Sequence, residues 1–133
     1  MDRQYTDEIV LFNEAAANGA TAKGAANMQS FRNVEHTVVM TGFTGTIKFV
    51  ASNADAAPDF GASASLTNRW DYVKCINQID GSSVAGGTGL AGSATTSVTQ
   101  IEMNTNGFKW VGAIISSYSA GTLTLRTKGY SNM

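Results

Sequence analysis

The run Thr122-Leu-Thr-Leu-Arg-Thr-Lys128 constrains the fold more than any other stretch. Leu123 and Leu125 fall on one side of an extended chain, with Thr122, Thr124, Arg126 and Lys128 on the other. A helix would scatter this period of two around its axis, so the pattern predicts a β-strand with one buried face. Just before it, Trp110-Val-Gly-Ala-Ile-Ile-Ser-Ser117 is apolar and rich in β-branched residues. Ser119-Ala-Gly121 supplies small residues and free φ between the two runs, and together they read as a β-hairpin. An isolated hairpin is marginal in water, so this one must belong to a larger sheet. Its first strand is apolar on both faces and is expected to be central, while the second, with Arg126 and Lys128 outward, is expected nearer an edge.

Similar signals recur along the chain. Glu8 to Asn13 favours a strand through Ile9, Val10 and Phe12. Ala15 to Ala26, broken at Asn18-Gly19 and Lys23-Gly24, reads as a loose hairpin or arm. Glu35 to Thr41 and Thr46 to Ser52 predict a second hairpin turning at Gly42-Phe-Thr-Gly45. Asn53 to Asn68 is a long polar connection with the only proline, Pro58. Trp70 to Ile79 and Ser97 to Asn104 read as strands, separated by a Gly/Ser/Ala/Thr excursion over Asp80 to Thr96. No amphipathic helix stands out. About seven or eight short strands in this arrangement predict an all-β protein, an antiparallel β-sandwich or jelly-roll-like barrel. Residues 1–30 are expected to form an N-terminal arm or hairpin and 31–133 the sandwich, one globular domain overall.

At 133 residues the chain can bury a core without disulfides or metal. Charged residues are only 14%, against about 25% in an average soluble domain. Gly, Ala, Ser, Thr and Asn take their place, a surface suited to packing against copies of itself or a partner. Net charge is −1 and the nine basic residues are scattered, so a nucleic-acid partner is not expected. No apolar window approaches a membrane span and the N-terminus lacks a hydrophobic signal region, so neither export nor membrane insertion is expected.

Catalytic signals are sparse. His36 is the only histidine and sits in a strand-like context, no Gly-x-Ser-x-Gly elbow is present, and the lone Cys75 offers no disulfide. Asp55, Asp59, Asp71 and Asp80 do not form a calcium-loop ladder. The glycines after Gly81 lack the Gly-Lys-[Ser/Thr] ending of a phosphate loop. No cofactor, metal or enzymatic activity is expected. Trp70, Tyr72 and Trp110 are the candidate binding residues, either filling a core or interface or stacking on a glycan.

Asn33-Val-Glu-His-Thr-Val-Val, Gly45-Thr-Ile-Lys-Phe-Val-Ala-Ser, Asn68-Arg-Trp-Asp-Tyr-Val and the stretch from Asp80-Gly-Ser-Ser through Glu102-Met-Asn-Thr-Asn-Gly-Phe-Lys-Trp-Val, taken together, resemble small virion structural proteins of tailed bacteriophages. The resemblance spans Phe31 to Tyr130 and implies no catalytic residue. It implies a capsid decoration, or cement, protein: a β-sandwich that self-associates, often as trimers on similar phages, and contacts other virion proteins such as the major capsid protein. Its location would be the virion, assembled in the host cytoplasm. The N-terminal segment would then be an anchoring arm, with Tyr5, Ile9, Leu11 and Phe12 as its apolar contacts. The alternative is a tail or fibre component that binds a host receptor or surface glycan.

Overall fold

The computed structural model describes residues 3–19, 26–29, 31–104 and 108–132. Among them the chain is all-β, with no helix, and its strands join in a single antiparallel, sandwich-like sheet. The strands are β1 (Arg3–Tyr5), β2 (Ile9–Ala15), β3 (Ala26–Asn27), β4 (Asn33–Ser52), β5 (Asp71–Tyr72), β6 (Cys75–Asn77), β7 (Ser83–Val84), β8 (Leu90–Asn104) and β9 (Trp110–Asn132). Three long ones lie side by side in the order β9, β4, β8. Short strands complete the sheet: β1, β2 and β3 on the far side of β9, β5 at the end of β4, and β6 then β7 beyond β8.

Neither expected hairpin forms. Gly42-Phe-Thr-Gly45 lies inside β4 and Ser119-Ala-Gly121 inside β9. Both halves of β9 pair with β4: Tyr130 to Thr122 along Asn33 to Thr41, and Ala120 to Trp110 along Thr44 to Ser52. The positive φ of Gly42 (55°) and Gly121 (78°) is absorbed by β-bulges instead of a chain reversal. Between the pairs Thr41↔Thr122 and Thr44↔Ala120, Gly42 and Phe43 oppose Gly121 alone. Between Met40↔Ser97 and Phe43↔Thr95, Thr41 and Gly42 likewise oppose Thr96 alone. The extra residue of β4 therefore bends all three long strands at the same level.

This insertion also shifts the side-chain phase. Before the bend the even positions of β4 are buried (Val34, His36, Val38, Met40); after it the odd ones are (Phe43, Ile47, Phe49, Ala51). One added residue flips the alternation, and the bend turns both halves toward one interior. The His36 and Phe49 rings stack 4.9 Å apart, so the two ends of a single strand meet across the core. β9 supplies Val111, Ala113, Ile115, Leu123 and Leu125 to that core, and β8 adds Ile101 and Met103. The alternation seen around Leu123 and Ile47 thus holds, although the turns between the runs do not.

The Trp110 half of β9 is central, as its two-sided apolarity suggests. Its outer face is covered by Phe60, from the long connection after β4: a Cβ on Gly112 would lie 2.6 Å from the Phe60 ring. The Leu123 half is not an edge, because β2 pairs along it. The expected strand over Trp70 to Ile79 is cut to β5 and β6, and the Gly/Ser excursion ends early, since β8 is already a strand at Leu90.

The expected anchoring arm lies along β9 where it is described. β1 pairs Tyr5 with Tyr130, β2 pairs Ile9 with Thr127, and β3 pairs Ala26 with Val111. A register shift between Val10 and Phe12 lets consecutive Leu11 and Phe12 both turn inward. Burial within their own domain removes these two from the surface of an arm, and Ile9 packs against the same core. Tyr5 stays half exposed, tilted on Tyr130 and lying under the Lys128 ammonium.

Candidate interaction surface

The connection between β4 and β5, residues 53–70, is the longest non-strand stretch among the described residues, and its own side chains hydrogen-bond across it. Asn68 is its hub. The Asn68 Oδ1 accepts the Asp59 N–H at 2.8 Å, and its amide nitrogen donates to the carbonyl oxygens of Asp59 (2.9 Å) and Ser63 (3.2 Å). Ser65 and Asn68 exchange backbone hydrogen bonds in a tight turn. Asp59 Oδ1 accepts the Gly61 N–H at 2.9 Å. Asn and Asp side chains close such turns by mimicking backbone groups, which is why this polar stretch is ordered without being a strand. At its tip Leu66 is 94% exposed.

The aromatic candidates flank this loop. The Phe60 and Trp70 rings meet edge to face (6.1 Å, 82°), and Trp70 meets Tyr72 the same way (5.3 Å, 90°). The Trp70 indole N–H donates to the Ala62 carbonyl at 3.1 Å. Tyr72 is the exposed end of this row, with the Lys48 ammonium 5.5 Å from its ring centre. Trp110 works apart from the pair: its indole N–H donates to the Ala54 carbonyl at 2.9 Å, and the Lys109 ammonium lies over its ring. A shallow cleft of about 330 Å³ opens between Trp70 and Phe108, with Ser52, Asn53, Arg69 and Asp71 around it. All three sequence-predicted aromatics therefore tie the loop to the sheet. Of the three, Trp70 lines that cleft and Tyr72 is the most exposed.

Asn68→Ala would remove the loop's hub while leaving the sheet untouched. Its hydrogen bonds are solvent-exposed, so global stability should fall by only about 1 kcal/mol. Proteolytic cleavage within 53–70 should accelerate and Trp70 fluorescence should shift red; unchanged cleavage would show that Asn68 does not hold the loop.

The groups that could carry chemistry lie elsewhere and are subdued by burial. His36 is fully buried; its Nδ1 pairs with Thr127 Oγ1 at 2.8 Å and its Nε2 has no partner among the described residues. Desolvation lowers its pKa from 6.5 to about 3. The Cys75 thiol is pushed up to about 12 by burial, which keeps it protonated and unreactive at neutral pH. Glu35 is raised by partial burial and by Glu102, its direct neighbour across the β4–β8 pair. Among the described residues no three His, Cys, Asp or Glu side chains gather in a way that could hold a metal ion.

Sequence reasoning missed the Asn68 hub, because an Asn in a polar loop looks like any other until its partners are placed. The exposed Leu66 beside Ser and Thr was the available signal.

Compared with known proteins, the chain matches no protein-family profile and no curated protein. Among solved structures it is similar to the SPBc2 prophage-derived protein YomS, with a TM-score of 0.68 at 14% identity. The similarity covers 98% of this chain and 96% of that one, so the two share their fold essentially from end to end.

Proposed function

We propose that this chain is a non-enzymatic structural protein of a bacteriophage particle, in its finer form a capsid decoration protein whose copies associate and brace the head shell. The observation that carries the reading is the fold similarity to a prophage-derived protein, which covers 98% of this chain and 96% of that one. The low share of charged residues, 14%, supports it, because Ser, Thr and Asn surfaces can be buried against neighbours without desolvating charge. The state of the reactive side chains agrees with a role without catalysis: the one imidazole is sealed in the core and the one thiol is held protonated. Contacts with a major capsid protein, location in the virion and assembly in the host cytoplasm belong to the same proposal.

Quantitative mass spectrometry of purified particles tests it. Decoration requires a copy number comparable to that of the shell protein. A handful of copies per particle would overturn the decoration role, and absence from particles would overturn the virion role altogether.

A further inference from the structure

We propose that the outer side of β8, around Thr95 to Thr99, is where a second copy of this chain pairs, edge to edge and antiparallel. On its inner side β8 is bonded to β4 from Asn104 to Leu90. On its outer side β6 covers only Glu102 and Ile101, and the last bond is the Gln78 N–H donating to the Gln100 carbonyl at 3.0 Å. From Thr99 back to Ala91 no strand of the described residues lies against it. In an antiparallel strand both backbone groups of one residue face the same side and alternate along the chain. Because the Gln100 carbonyl points outward, the N–H and C=O of Val98 and Thr96 do too, and nothing in the sheet receives them.

The usual protections of such an edge are missing. Leu90-Ala-Gly-Ser-Ala-Thr-Thr-Ser-Val-Thr-Gln100 contains no charge and no proline. The irregular Ala94 (φ 47°) interrupts the edge at one end only, beyond Thr95. The other outer strands are short or bulged: β1, β3 and β7 have three, two and two residues, and β2 carries register shifts. Beside the open stretch, Val98 and Ile79 are 66% and 86% exposed and line one cleft of about 480 Å³.

These features specify the occupant. Open backbone donors and acceptors in register call for an extended peptide strand, and an uncharged surface carrying Val98 and Ile79 disfavours a charged one. This chain's own edge meets both requirements. A two-fold axis at Ser97 would set Thr96 of each copy against Val98 of the other, both with outward-facing backbone groups, and would bring no charge toward charge. The inference rests on the assembly reading above in taking a second copy as the natural occupant.

Sedimentation of the purified full chain, from micromolar to near-millimolar concentration, tests it. The wild type should shift from monomer to dimer mass. Val98→Pro removes the outward N–H without touching the β4–β8 ladder, so it should keep its unfolding midpoint and lose at least about tenfold in dimer affinity. Val98→Lys, which places a charge beside the same edge, should do likewise and decides the matter if the proline variant folds poorly. A wild type that stays monomeric, or variants that associate like it, would overturn the inference. A chain that stays monomeric yet occupies particles would overturn only this interface and leave the proposed particle role standing. Dimers from a chain absent from particles would do the reverse.

Discussion

Gly121→Ala is expected to cost about 3 kcal/mol or more, enough to threaten the whole of a marginally stable domain. Two effects add. Gly121 has φ at 78°, where a non-glycine residue loses about 1 kcal/mol. The larger effect is steric: a Cβ there would lie 2.2 Å from the Gly42 carbonyl oxygen and 2.6 Å from the Phe43 Cα. Those are backbone atoms of the bulge in β4, so no side-chain rotation relieves the clash. Gly81 separates the two effects, because its φ is 73° with nothing within 4 Å of an added Cβ. Urea unfolding of both variants should show Gly81→Ala losing about 1 kcal/mol and Gly121→Ala several-fold more. Equal losses would mean that Gly121 is not wedged against the bulge of β4.

The second large effect is a loss of stability in acid that traces to His36. The unfolded chain protonates this ring near pH 6.5, whereas the folded chain resists until about 3, because a charged imidazole would be desolvated in the core. In the charged ring the Nε2 would also carry a buried N–H with no acceptor among the described residues. The unfolded state therefore binds the extra proton across that window. The contribution of His36 is full above pH 6.5 and falls as pH drops, by about 1.4 kcal/mol per unit, until the folded pKa is reached. Glu35 works in the opposite sense: its raised pKa makes stability decline as pH rises above the ordinary carboxylate value. The double variant His36→Leu, Thr127→Val isolates the histidine, because it removes both partners of the buried hydrogen bond together. Its stability between pH 7 and 4 should follow a much flatter course than the wild type; parallel curves would place the acid sensitivity elsewhere.

Local alternation carried the sequence reading as far as the faces of strands. Ile47, Phe49, Leu123 and Leu125 all point into the core, and the all-β class followed from the same pattern. Turn signals failed for a physical reason. A glycine that can adopt positive φ serves a reversing loop and a bulge equally well, and only the partner strand decides between them. At Gly42 and Gly121 the partners run past without turning, so two expected hairpins became two continuous strands. Composition misled in the same way at Leu90 to Thr96, where small polar residues suggested an excursion but an edge strand lies there. The indoles of Trp70 and Trp110 donate to the carbonyls of Ala62 and Ala54, which belong to a loop whose path local sequence does not encode.

Because β4 and β9 each run unbroken through both layers, the layers share their backbone and not merely their side-chain contacts. Two separate sheets in a sandwich can slide over one another when pushed sideways, resisted only by packing. Here such shear would have to stretch strands bonded to each other on both sides of the bend, from Asn33↔Tyr130 to Ser52↔Trp110. A tangential load on either face is thereby converted into tension along hydrogen-bonded ladders, and the bulged corner at Gly42 and Gly121 is the point through which it passes.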